Sequence, residues 1–151
     1  MEENLDFLKQ SALFTGLHEG QFAVLCRLAE IQKFQEGEVI VAEGTPGDRF
    51  FVLMDGEVSI EKNTPEGYPR PLASLTERGA FFGEMAVVDI EPRSATARAF
   101  KRTSVVMFTK EALVTMFDEF PELMTLVGFN IARVLSQRLR SIDEDLAALS
   151  G

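Results

Sequence analysis

The sequence predicts a mixed α and β fold: an eight-stranded jelly-roll β-barrel between N-terminal helices and a long C-terminal helix. Three observations predict it. Apolar residues recur at helical spacing at both ends of the chain. Short β-rich runs separated by glycine and proline turns fill the middle. The spacing of those runs is that of a sandwich or barrel, and no internal repeat suggests a solenoid.

The lead-in comes first. From Leu5 to Ala29 the apolar residues Leu5, Leu8, Leu13, Phe14, Leu17, Phe22, Leu25 and Leu28 step mostly by threes and fours, with a break at Thr15 and Gly16. That spacing predicts two short helical pieces. At Gln32 the period changes. Phe34, Val39–Val41, Phe50–Val52 and Val58–Ile60 are strand-like runs, separated by Glu36-Gly37, by Glu43 to Gly47 and by Asp55-Gly56. Asp55-Gly56 between two apolar runs is a hairpin signal, because glycine supplies the positive φ of the turn. Pro71 to Leu75, Ala95 to Phe100 and Ser104 to Phe108 continue the pattern after a looser turn at Asn63 to Gly67.

Helical spacing returns at Thr109, placed as an N-cap with Glu111 in the first turn. Pro121 interrupts it and starts a new helix as a first residue. In the long amphipathic segment that follows, Ile131, Leu135, Leu139, Ile142, Leu146 and Leu149 form a stripe that becomes heptad-like. Two seats for this stripe stand open: the protein's own barrel, or a second copy of the chain in a homodimer. The expected layout is a single domain over 1–151, with a helical lead-in at 1–30, the barrel at 31–108 and C-terminal helices at 109–151.

Composition narrows the function. The 151 residues carry 15 basic against 24 acidic side chains, a formal charge of −9. That field repels phosphate backbones and anionic lipid, so neither free nucleic acid nor a membrane is an expected partner. A small anion remains open if the chain supplies a local positive pocket. The lone cysteine, Cys26, and lone histidine, His18, exclude a disulfide framework and a cysteine-rich metal cluster. Cys26 is expected in the core and His18 half-buried in a structural place. An acidic N-terminus and the lack of an apolar run of ~20 residues point to the cytoplasm.

The chemistry concentrates in 79–99. Gly83 permits close backbone approach and unusual φ. Met85 to Val88 fits one helical turn, whose N–H groups point back toward Gly83 and Glu84. Pro92 fixes the backbone ahead of Arg93, and Ser94 adds a hydroxyl. Backbone amides, a guanidinium fork and a hydroxyl thus converge on one anion, and a bidentate arginine suits a phosphate diester. Glu84, an acceptor with no complementarity to phosphate, is matched to a hydroxyl such as a ribose 2′-OH.

Phe82 to Ala86 followed by Pro92 to Thr96 resembles the phosphate-binding cassette of cyclic-nucleotide-binding domains, found in kinase A regulatory subunits and the bacterial catabolite activator protein. The resemblance covers nearly the whole chain. It implies a receptor for a cyclic nucleotide, cyclic AMP ahead of cyclic GMP, with no cofactor and no catalysis. It implies Arg93 on the exocyclic phosphate oxygens, Glu84 on the 2′-OH, and backbone N–H groups of Gly83, Met85 and Ala86 around the sugar-phosphate. Ser94 is implied at phosphate or base edge, and Asp48 as support for Arg93. Val41, Val52, Phe82, Val87 and Ala95 are expected as pocket walls, and Ile142 and Asp143 near the base. Binding is expected to move the C-terminal helix. The activator's DNA reader and the kinase subunits' inhibitor segment do not follow from these residues, so a sensor domain is expected. The rival reading is a structural or oligomerisation module of the same fold with no cyclic nucleotide. An enzyme lacks a nucleophile here, and a cyclic dinucleotide would call on Arg98 or Arg49.

Overall fold

The computed structural model describes residues 4–83 and 93–150. Two 3-10 helices, Asp6–Gln10 and Ala12–Phe14, precede helix α1, Glu19–Leu28. Strands follow as β1 (Glu30–Phe34), β2 (Val39–Val41), β3 (Arg49–Asp55), β4 (Val58–Asn63), β5 (Pro69–Leu75), β6 (Phe81–Phe82), β7 (Thr96–Ala99) and β8 (Thr103–Thr109). Helices α2, Lys110–Glu119, and α3, Glu122–Ser150, complete the chain. The helix–strands–helix order and the long terminal helix are therefore as the sequence predicts.

The strands form two antiparallel sheets, β1-β8-β3-β6 and β2-β7-β4-β5. The first sheet is covered on both faces. Phe50, Val52 and Met54 of β3, with Val106 and Phe108 of β8, face the helices and pack with Leu8, Leu13, Phe14, Leu25, Leu123 and Val127. Phe51, Leu53, Val105 and Met107 face the second sheet and meet Val58, Phe82 and Ala97. Burial on both sides explains why β3 and β8 read as continuous apolar runs rather than alternating ones. The second sheet alternates, as in β7, where Ala97 and Ala99 point inward.

Local signals agree with these boundaries. Gly56 sits at φ +108° between β3 and β4, where a Cβ would fall 2.6 Å from the carbonyl oxygen of Arg102. Thr109 Oγ1 accepts from Ala112 N at 3.0 Å, the N-cap expected there. His18 is a correction: it is exposed, and its Nδ1 caps α1 by accepting from Gln21 N at 3.3 Å. Cys26 is half-buried on α1, not fully inside, and burial pushes its thiol upward.

Helix α3 is tied to the lead-in by a buried polar contact. Asn130, 2% exposed, donates through Nδ2 to the carbonyls of Leu13 and Thr15, both at 3.0 Å. Asn130→Ala is expected to cost about 1–3 kcal/mol in a denaturant titration, because two carbonyls lose their donor. Past this point the heptad stripe divides. Ile131 is buried and Leu135 half-buried, whereas Leu139, Ile142, Leu146 and Leu149 are exposed. No helix among the described residues is long and apolar enough to cross a membrane.

Candidate functional site

The site lies where the start of β3 meets the end of β6 and the segment entering β7. Phe82 closes β6, is 5% exposed, and stacks on Phe51 with ring centroids 5.0 Å apart. The stack fixes the strand that delivers Gly83. Gly83 has φ +80°, and a Cβ placed there would lie 2.6 Å from Arg93 Nη1. Glycine is thus required twice, by backbone conformation and by the approaching guanidinium. Gly83→Ala is expected to cost about 1–2 kcal/mol from the left-handed φ alone, read as a fall in Tm, and to push the guanidinium aside.

Arg93 is held by main-chain and side-chain bonds together. Its N donates to Thr45 O at 2.8 Å, and its carbonyl accepts from Gly44 N at 2.8 Å. Its guanidinium then reaches the other way. Nη1 donates to Gly83 O at 3.3 Å and Nη2 to Arg49 O at 2.6 Å. The half-buried fork therefore spans the ends of β3 and β6 while its backbone is clamped to the β2–β3 loop.

The neighbouring charges are ordered. The exposed Asp48 carboxylate accepts from Arg49 Nε at 2.9 Å and from Arg49 Nη2 at 3.5 Å. That bond first, and the Arg49 and Arg93 charges after it, hold the Asp48 carboxyl below the usual carboxylate range. Asp48 thus neutralises Arg49 directly, and Arg93 feels it as a nearby charge. Next in the chain, Ser94 is exposed, and its carbonyl accepts from Lys62 Nζ at 2.9 Å. Thr96 Oγ1 accepts from Glu43 N at 2.9 Å, a further tie to the same loop.

Among the residues singled out from sequence, Phe82, Gly83 and Arg93 are brought together, with Asp48 and Ser94 flanking them. Glu84, Met85, Ala86 and Val87 lie outside the described residues. Val41 and Ala95 are half-buried, Val41 packed with the Phe82 cluster between the two sheets. Val52 is a correction: it is fully buried on the opposite face, toward the helices. Ile142 is exposed, as is Asp143. Arg98 and Arg49 are committed elsewhere, Arg98 to Glu61 at 3.1 Å and to Gly37 O at 2.9 Å.

Sequence reasoning missed the partners of Arg93: Gly44, Thr45 and the carbonyl of Arg49. The segment from Glu43 to Gly47 is legible as a turn, but a turn does not signal which distant segment it will bind. It also missed the tie from helix α3, where Arg138 lies over the Phe81 ring at 5.2 Å, one residue before Phe82.

Residues 31–120 match the family model described as a cyclic nucleotide-binding domain. The chain is 28% identical over 144 residues to a CRP-like cAMP-activated global transcriptional regulator of Mycobacterium tuberculosis, covering 95% of this chain and 62% of that protein. It thus spans less than two thirds of that relative. The N-terminal domain of a transcriptional regulator from Streptomyces coelicolor superposes with a TM-score of 0.78 at 27% identity, covering 91% of this chain and 95% of the other. The Thermus thermophilus catabolite activator protein superposes with a TM-score of 0.77 at 30% identity, covering 93% and 63%.

Proposed function

This chain belongs to the cyclic nucleotide-binding domain family, and on that premise we propose that it is a receptor for a cyclic nucleoside monophosphate, without a catalytic step of its own. One observation carries the reading. Arg93 is fixed by the Gly44–Thr45 loop and aimed at the ends of β3 and β6, beside a glycine whose missing Cβ makes room for the guanidinium. A guanidinium carries five donors in one plane and keeps its charge at every working pH. The group that braces two carbonyls is thereby the one to meet the exocyclic oxygens of a cyclic phosphate.

In this reading Phe82 lines the pocket and Gly83, Met85 and Ala86 present backbone N–H groups to the sugar-phosphate. Glu84 accepts from the ribose 2′-OH, Ser94 meets phosphate or base, and Asp48 offsets the positive charge of Arg49 beside Arg93. Residues 1–151 act as one sensor domain. Cyclic AMP is favoured over cyclic GMP, because serine, not threonine, follows Arg93, and because the mycobacterial relative is named as cAMP-activated. Calorimetric titration with both nucleotides tests this, with tighter binding of cyclic AMP expected. Tighter binding of cyclic GMP reverses the choice of base. No heat from folded protein with either nucleotide leaves the scaffold reading instead.

The same proposal gives α3 two tasks. Its Arg138 contact with Phe81 passes movement of the cassette into the helix, and its exposed Leu139, Ile142, Leu146 and Leu149 meet a second copy of the chain. A nucleotide shifts the helix only by its differential affinity for the two positions. Hydrogen exchange over 135–149 should therefore change when cyclic AMP is added and depend on protein concentration.

A further inference from the structure

We propose that this protein carries a second anion site, for a compact multivalent anion, at the end of β3 remote from Arg93. The strand runs from Arg49, whose carbonyl holds Arg93, to Asp55. At about 3.3 Å per residue this sets the two ends roughly 20 Å apart. A cavity of about 550 Å³ opens there, lined by Lys33, Asp55, Thr76, Arg78, Lys101 and Ser104 among others. Its volume is that of a small-ligand pocket. Its charged lining is three cations against one carboxylate, in a chain whose formal charge is −9. Local sign and global sign are opposed, which is what selective capture of a small anion requires.

The cations are positioned by the fold. Ser104 pairs with Lys33 across β1 and β8 and with Asp55 across β3 and β8, so these three side chains share one level of the sheet. Arg78 lies with its guanidinium 4.6 Å above the buried ring of Phe7. A cation over an aromatic face is held by the ring's quadrupole, and the N–H donors of a guanidinium suit phosphate or carboxylate. The loop carrying Arg78 is bonded to β3, with Gly79 N donating to Leu53 O at 2.8 Å and Leu53 N to Ala80 O at 2.7 Å. The backbone of Lys101 is steadied by Thr103, whose buried hydroxyl donates to Lys101 O at 2.8 Å and shares its one proton with Glu57 O at 3.1 Å. Arg78 and Lys101, borne on separate loops, suit an anion with two or more charged groups, since a single carboxylate is answered by one of them.

The test is calorimetric titration of the full chain with inorganic pyrophosphate and, separately, with citrate. Saturable binding of at least one is expected, and which of them binds distinguishes a phosphate from a carboxylate ligand. Arg78→Gln with Lys101→Gln should weaken it roughly tenfold or more, the effect of losing charge-assisted bonds. Arg93→Ala should leave it unchanged, which separates this site from the cyclic nucleotide site. Because removing Arg78 also unstacks Phe7, Lys101→Gln alone, on an exposed turn, supplies a variant with the fold untouched, and Tm checks both. No saturable heat with either anion overturns the proposal, as does binding that survives the double substitution.

Discussion

Arg93→Ala is expected to weaken cyclic nucleotide binding by about 2–4 kcal/mol, roughly 30- to 1000-fold, while the protein remains folded. The size of the effect follows from the chemistry of a phosphate diester, which presents two oxygens at the spacing of a guanidinium fork. Retention of the fold follows from the geometry. The bonds that clamp residue 93 to Gly44 and Thr45 are made by its backbone, and alanine keeps both. The Gly83 and Arg49 carbonyls lose a donor, but both bonds are only part-buried and lie at strand ends, not in either core cluster. Calorimetric titration gives the affinity and thermal unfolding gives the control. Arg93→Lys should fall between wild type and alanine, since it keeps the charge and loses the fork. If the alanine variant binds within about threefold of wild type, the phosphate is held elsewhere and the site assignment fails.

How much of this could be read from sequence depends on how local the determinant is. The hairpin at Asp55-Gly56 and the Thr109 cap are decided within a few residues and stand where the spacing puts them, while Pro121, expected as the first residue of α3, stands one residue before its start at Glu122. The pairing of Gly83 with Arg93 was legible as a combination, because both fall in one short segment. The carbonyl of Arg49 was not, because a backbone acceptor leaves no mark in the residue type. The lead-in shows a different limit. Apolar steps of three and four fit 3-10 and α geometry alike over so few residues, and Asp6–Gln10 took the tighter form. The face of Val52 was ambiguous for a third reason. Phe50, Phe51 and Val52 are apolar without alternation, so the run does not say which side meets the helices. The seat of the α3 stripe was left open by sequence, and the exposure of Leu139 to Leu149 now separates it into a docked half and an outward half.

Phe50→Ala should produce the largest loss of stability, about 3–5 kcal/mol. Phe50 is 1% exposed on the helix-facing side of β3, stacked on Phe108 at 5.1 Å and tilted against Phe14 at 6.3 Å. Its ring therefore joins a strand pair to the N-terminal lead-in, and alanine leaves a cavity that three elements must collapse to fill. A loss of this size is a large part of the ~5–15 kcal/mol that holds a domain folded, so a clear fall in Tm and in denaturant midpoint is expected. Phe50→Leu should cost less, since it retains most of the volume. The variant also separates fold from site. Phe50 points away from Arg93, although its Cα is only 3.5 Å from where a Gly83 Cβ would stand. Saturating cyclic AMP should raise the Tm of wild type and Phe50→Ala by similar amounts, because that shift depends on ligand concentration relative to Kd. Arg93→Ala should show the converse: a Tm near that of wild type without nucleotide, and little rise when it is added. If Phe50→Ala instead loses the nucleotide-induced rise while still folded, the helix-side core and the Arg93 site are one mechanical unit, and the separation of the two faces of β3 does not hold.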